Sequence, residues 1–444
     1  MNCALSDRNL SIMTHLAASI FENIARHAGT PCYAYSRTRM QENFQRLAHA
    51  FDPTHTTLCY SVKANGNLSI LRLLHEMGAG FDVVSAGEMQ RALLAGADPA
   101  KIVFAGVGKR DDEIARAVDA GIGWVNVESA QELRVLSDIA QGKGVTQQVA
   151  LRLNPNIDPH THRYMATGVG SSKFGIGIEE AMGLIARRNQ FAGVTIRGVH
   201  IHIGSMVSEV EPYIDAMRVG LDVIAECRSM GAVMTTMDLG GGFGVAYTPE
   251  QTAAPIEQIA KAVLPMAKDA GVRLQLEPGR SVIADAGWLL TRVVYTKSNG
   301  GVHYAIVDAA MNDLIRPALY GAKHSVTKVD VANHADGEIV LRDRKPETEK
   351  LFSIVGPICE SGDKLAEGVL LPDVQRGDLL LIHHAGAYGM SMASNYNTRA
   401  RAAEVLIDDV HFPGSSPDGR GSWRVIRRRE DMEALWAGEV ECLQ

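Results

Sequence analysis

Over residues 38–285, short strand-like runs alternate with helical periodicity eight times in succession, and few folds can absorb that order. The strand-like runs are TLCYSVK, GFDVVS, KIVFAG, GWVNVE, QVALRLN, IRGVHIHIG, TTMDLG and VRLQLEP. Between them apolar residues recur at helical spacing, as in LSILRLLHEM, GEMQRALLAG, DDEIARAVDAG and YIDAMRVGLDVIAECRSMG. Eight βα units in one run predict an α/β chain with a (β/α)8 TIM barrel. An open doubly wound sheet is the competing arrangement. The strand ends favour the barrel. Lys63, Asp82, Ser85, Glu128, Arg152, Asn154, His202, Gly240 to Gly242 and Glu277 all fall where a barrel assembles its site.

From residue 286 to 444 the texture changes. Alternating runs at VHYAIVD, HSVTKVDVA, GEIVLR, KLFSIVG, DLLLIHHA, RAAEVLI and WRVI are separated by turn residues, with a helical DMEALWAG near the end. This predicts a mostly β C-terminal domain. Residues 1–37 carry a helical pattern, HLAASIFENIARHAG, and a strand-like PCYAYS that can join that domain from the other end of the chain.

Composition narrows the function. The 444 residues are 46% hydrophobic and 21% charged, with a net charge of −7, which disfavours a nucleic-acid groove. The RVIRRRED run reads as a solvated face. Cys3, Cys32, Cys59, Cys227, Cys359 and Cys442 are scattered without a CxxC pair, so a zinc site or disulfide framework is not expected. No apolar run reaches membrane length, and a cytoplasmic enzyme is the expectation.

Lys63 ends the first barrel strand, before the turn Ala64-Asn65-Gly66-Asn67. A partly desolvated amine there suits Schiff-base chemistry, although a solvated strand-end lysine reads the same way. Gly240, Gly241 and Gly242 suit either a tight turn or a phosphate cradle; they do not fit the dinucleotide fingerprint. Glu277 can hold a heterocyclic nitrogen protonated, and Arg280 can pair with a phosphate or carboxylate. His200 and His202 lie two apart on the sixth barrel strand. A metal pair would need further ligands, and no matching set shows in the sequence, so none is expected. His200 reads as a satisfied core histidine and His202 as a ring that packs on a flat cofactor. Cys359 can donate a proton, Glu360 can bind an ammonium, and Arg316 can clamp a carboxylate. Together these are the parts of a pyridoxal phosphate site.

The motifs GTPCYAYS, CYSVKANGN, GFDVVSAGE, KIVFAGVGK, HTHRYMATG, SSKFGI, HIHIGS, LGGGFG, EPGRS, NDLIRPALYGA, GPICESGD and AYGMSMASNYN occur in this order along the whole chain. In them the chain resembles the diaminopimelate decarboxylases, of the fold type III, alanine-racemase-like class of pyridoxal phosphate enzymes. The resemblance implies that Lys63 carries the cofactor and His202 stacks on its ring. It implies that Ser205, Gly240 to Gly242, Gly279 and Arg280 grip the phosphate and substrate, with Glu277 on the pyridine nitrogen. Arg316, Tyr320 and Glu360 become substrate contacts, and Tyr388 touches both cofactor and substrate. Cys359 becomes the proton donor, supplied by the partner subunit of a homodimer with shared active sites. Met390 stands where the family more often has an aromatic residue. The implied reaction is decarboxylation of meso-diaminopimelate to L-lysine, the last step of lysine biosynthesis. Decarboxylation of ornithine, arginine or D-lysine, a non-catalytic relative, and a metal-dependent barrel hydrolase are the alternatives.

Overall fold

The computed structural model describes residues 18–155, 172–329, 349–408 and 423–443. The HTHRYMATG motif and the GEIVLR run lie outside them. The chain forms two compact units, Gln41–Val282 and Met1–Met40 with Ile283–Gln444.

A helix over Ala18–His27 leads into strand β1 (Cys32–Ser36). A helix over Arg37–Ala50 then precedes the barrel. Its polar sequence, RTRMQENFQRLAHA, hides a periodicity that the eye reads as loop.

The barrel strands are β2 (Thr56–Ser61), β3 (Gly80–Val83), β4 (Ile102–Phe104), β5 (Trp124–Val127), β6 (Gln147–Arg152), β7 (Val194–His200), β8 (Thr236–Asp238) and β9 (Arg273–Leu276). All eight are parallel, and β9 closes on β2 with Thr56 opposite Leu274. Both faces of each strand are covered, so β3 and β8 are buried throughout and do not alternate. Capping fixes the turns that carry the site. Ser85 and Ser129 begin SAGE and SAQE, and each side chain accepts the N–H of the glutamate three residues on, at 3.1 Å. Glu88 and Glu132 reach back to the N–H groups of Val84 and Glu128. Such boxes satisfy helix-end donors that would otherwise lack partners. They set where each strand stops.

In the other unit, strands β10 (Gly287–Asn299), β11 (Val302–Val307), β12 (Val326–Lys328), β13 (Lys350–Val355), β14 (Lys364–Leu371), β15 (Leu379–Ile382), β16 (Ala403–Ile407) and β17 (Trp423–Arg427) join β1 in one sheet. The N-terminal strand sits inside it, antiparallel to β10 and parallel to β16. Phe21, Ile24, Cys32, Trp288, Leu290, Leu381 and Val405 form its core. Strand β10, the longest, does not show in the sequence pattern. Its first half is buried throughout and its last half exposed, so no period of two develops. The RVIRRRED run is more than a solvated face: part of it is β17, and Arg429 donates to the Pro31 carbonyl at 2.7 Å. The DMEALWAG stretch is two short turns rather than one helix. Among the described residues no helix is long and apolar enough to cross a membrane.

Candidate active site

Lys63 occupies a short turn, Val62–Ala64, directly after β2. Its Nζ donates to Asp82 Oδ2 at 2.6 Å. Asp82 lies on β3 and is fully buried, while the lysine side chain is 36% exposed. The amine is therefore anchored on a buried carboxylate while its side chain stays partly exposed. Ser61 ties this pair to the adjacent strand β9, donating to Asp82 Oδ2 at 2.7 Å and to the Glu277 carbonyl at 3.0 Å.

Glu277 follows β9 and is buried among polar groups. Asn126 of β5 donates to its Oε1 at 3.1 Å, and His200 Nε2 lies 3.5 Å from its Oε2. The histidine is at ion-pair distance without an aligned hydrogen bond. Asp238, at the end of β8, accepts from Gln275 Nε2 at 2.7 Å and from the Gly240 N–H at 2.8 Å. His200, Asp238 and Glu277 bring one ligating atom each within 4.8 Å of one another. His200 is buried as a core histidine is, but its ring nitrogens lack a hydrogen-bond partner among the described residues, and two acidic side chains that the sequence spacing did not show stand beside it. Strand pairing in the barrel brings together residues that sequence spacing keeps apart.

Three buried carboxyls compete for charge here, and their surroundings separate them. Burial opposes ionisation of Glu277, but His200 and then Lys63 together outweigh it and hold the carboxyl well below its usual range. Burial and the neighbouring Glu277 charge push Asp238 up to about 8. The same two causes raise Asp82, against the pull of Lys63. Burial would lower His200, yet the charges of Glu277 and Asp238 raise it. Glu277 is the carboxylate this network keeps ionised.

Replacing His200 by Phe strands that charge. Removing one partner of a buried pair costs about 3–5 kcal/mol, read by denaturant unfolding of the cofactor-free protein. The raised His200 contributes stability below its ordinary 6.5, lost as pH climbs through its folded value. The depressed Glu277 contributes above its ordinary 4.5, lost as pH falls toward its folded value. The penalty of H200F is therefore largest between those two values and shrinks in alkaline solution. A penalty that does not change with pH would contradict the pairing.

His202 lies just past the end of β7, and its Nδ1 accepts the Gly241 N–H at 3.2 Å. Burial, then the charges of Arg152 and Lys63, hold its pKa well below the ordinary value, so the ring is neutral. Gly240 and Gly242 take φ of 63° and 88°, and a Cβ on Gly241 would lie 2.1 Å from the Glu277 carbonyl oxygen. Only glycines permit this turn to press against the strand ends. Arg280 donates to Tyr247 Oη at 2.7 Å and to Ser205 Oγ at 3.1 Å. Beside it the Ser281 hydroxyl is buried without a hydrogen-bond partner among the described residues. A guanidinium, hydroxyls and a glycine turn form a donor set suited to a phosphate. An anchored lysine, an ionised glutamate and a neutral imidazole suit a pyridoxal ring, so these residues fit pyridoxal phosphate. Asn126, Asp238, Gln275 and Tyr247 are not picked out from the sequence. Asn126 leaves a trace, as a polar residue inside an otherwise apolar barrel strand; Tyr247 leaves none.

The remaining candidates belong to the other unit. Arg316 is buried and donates to His324 Nε2 at 2.9 Å, which leaves His324 Nδ1–H to donate to the His383 carbonyl at 2.8 Å. Tyr320 and Tyr388 are half-buried, and Tyr388 holds a left-handed φ of 56°. Cys359 and Glu360 are exposed, at the tip of the loop between β13 and β14. Asp363 ties the base of that loop, accepting from Met311 and Ile358 N–H at 2.7 Å each.

Residues 37–284 match the pyridoxal binding domain of the pyridoxal-dependent decarboxylases. The chain is 44% identical to the diaminopimelate decarboxylase of Pseudomonas aeruginosa, over 94% of both chains. It is 40% identical to that of Aquifex aeolicus, over 93% of this chain and 92% of the other. A crystal structure of diaminopimelate decarboxylase from Helicobacter pylori complexed with L-lysine superposes with a TM-score of 0.86 at 37% identity, covering 95% of this chain and all of that one. A lysine/ornithine decarboxylase from Vibrio vulnificus shares the fold at 23% identity, with a TM-score of 0.75. Matched along nearly its whole length to these enzymes, and across its barrel to their pyridoxal-binding domain, the chain belongs to the diaminopimelate decarboxylase family.

Proposed function

We propose that the chain converts meso-2,6-diaminopimelate to L-lysine and carbon dioxide with pyridoxal phosphate, as a cytoplasmic homodimer with shared active sites. The observation that carries this reading is the Lys63 amine on buried Asp82, joined through Ser61 to Glu277 at the strand ends of the barrel. When bound, the cofactor supplies an electron sink for the pair left behind as the carboxylate departs.

The chain's own residues do the rest. Lys63 would hold the cofactor through Nζ. Asp82 keeps the amine close. Glu277, kept ionised, would hold the ring nitrogen of the cofactor in its protonated form. Ser205, Arg280, Gly279 and the Gly240 to Gly242 turn would hold the phosphate, and the neutral His202 ring would pack on the pyridine. Arg316, Tyr320, Tyr388 and Arg280 hold substrate, and Glu360 takes its distal ammonium. Cys359 of the partner subunit delivers a proton to the α-carbon.

Carbon dioxide and lysine released from diaminopimelate, with and without added pyridoxal phosphate, test the activity. Equimolar products that depend on the cofactor are expected. Faster turnover of ornithine, arginine or D-lysine would overturn the substrate assignment. Glu277→Gln should leave cofactor content intact and slow turnover about a hundredfold or more, the scale of losing one preorganised electrostatic partner. Full turnover at full cofactor occupancy would remove Glu277 from this role.

A further inference from the structure

The loop tip that carries Cys359 and Glu360 is held by a second, distant turn. Tyr396 Oη donates to Glu360 Oε2 at 2.9 Å. Asn397 Oδ1 accepts the Cys359 N–H at 3.4 Å. Both contacts come from residues more than thirty-five positions further along the chain.

That turn is costly to form. Asn397 (φ 54°, ψ 29°) and Thr398 (φ 55°) are successive left-handed residues, neither of them glycine. A β-branched residue in this region is strained and persists only where the surroundings dictate it. Here they do. Ser394 N–H donates to the Asn312 carbonyl at 2.9 Å. Asn395 Nδ2 donates to Glu430 Oε2 at 2.8 Å and to the Arg399 carbonyl at 3.0 Å. Glu430 is in turn fixed by Arg401 Nε at 2.6 Å.

Glu360 needs such support. An exposed glutamate samples many rotamers, and fixing it on a ligand costs side-chain entropy. Tyr396 fixes one carboxylate oxygen and leaves Oε1 for a ligand. Its own proton is secure, because the Glu360 hydrogen bond and charge raise the phenol's pKa.

We propose that Tyr396 is a specificity-determining positioning residue, which aims the Glu360 carboxylate at the distal ammonium of the substrate. This rests on the assignment of Glu360 to that ammonium, so the test separates the two claims. Calorimetry on the loaded enzyme measures the affinity for L-lysine and for norleucine, which has the same chain length but no distal ammonium. Wild type prefers lysine, and Glu360→Gln loses the preference. Tyr396→Phe lowers the preference about tenfold, as expected for one hydrogen bond to a charged group, with norleucine affinity unchanged within about twofold. General loosening of the loop would weaken both ligands alike, and the visible absorbance of the bound cofactor checks that Tyr396→Phe folds and loads. If Tyr396→Phe keeps the wild-type preference while Glu360→Gln loses it, Tyr396 has no such role. If Glu360→Gln keeps the preference, the Glu360 assignment fails and this inference falls with it.

Discussion

Borohydride reduction of the loaded enzyme, followed by digestion and peptide mapping, is expected to place the label on Lys63. Substitution of Lys63 by Ala should reduce turnover by at least about a thousandfold, since both the covalent hold and a proton-transferring amine are lost. The structure explains why other lysines do not compete. Lys109 is also in the barrel unit, but its Nζ is spent on three acceptors, the Gly106 and Asn126 carbonyls and Glu132 Oε1, at 2.7–2.8 Å. Its side chain is 1% exposed, so no aldehyde can reach it. Lys63 combines a partly exposed side chain with an ion pair to buried Asp82. A label on Lys109 or Lys173 would overturn the assignment.

Mixed dimers give the second large effect. Lys63→Ala and Cys359→Ala subunits, each nearly inactive alone, are expected to recover roughly a quarter of wild-type activity when combined at random. Half of the dimers are then mixed, and each mixed dimer has one site with both residues intact. Co-expression with two affinity tags isolates the mixed species and raises the expected figure to about half, as two-fold symmetry requires. A purified mixed dimer as inactive as its parents would show that Lys63 and Cys359 do not meet across a subunit interface. The proton donor would then have to come from the same chain as Lys63.

The strong local patterns carried much of the fold. All eight barrel strands in the sequence reading are strands of the closed barrel, and PCYAYS does enter the second sheet as β1. Capping residues such as Ser85 and Ser129 made the strand-to-helix transitions legible, because a cap acts over three residues. Where the period failed, the reading failed. Strand β10 passes from buried on both faces to exposed, and the helix over Arg37–Ala50 sets its few apolar residues, Met40, Phe44 and Leu47, among many polar ones.

The site divides along the same line. Lys63, the glycine turn and Glu277 announce themselves by type and position, since a nucleophile, a turn and a strand-end acid each have a local signature. What engages them does not. Ser61 and the Glu277 carbonyl are 216 residues apart, Asn126 and Glu277 are 151 apart, and Tyr396 and Glu360 are 36 apart. Barrel closure and sheet register set those distances, and the sequence holds no local record of either. The clearest case is His200, which looks like any core histidine along the chain. Only the other barrel strands supply Asp238 and Glu277, and the Glu277 carboxylate beside it favours its protonated form. The chemical type of each candidate group was therefore legible in the residues themselves. Its charge and aim were decided by tertiary contact, because a pKa depends on neighbours within a few ångströms and these neighbours come from other strands.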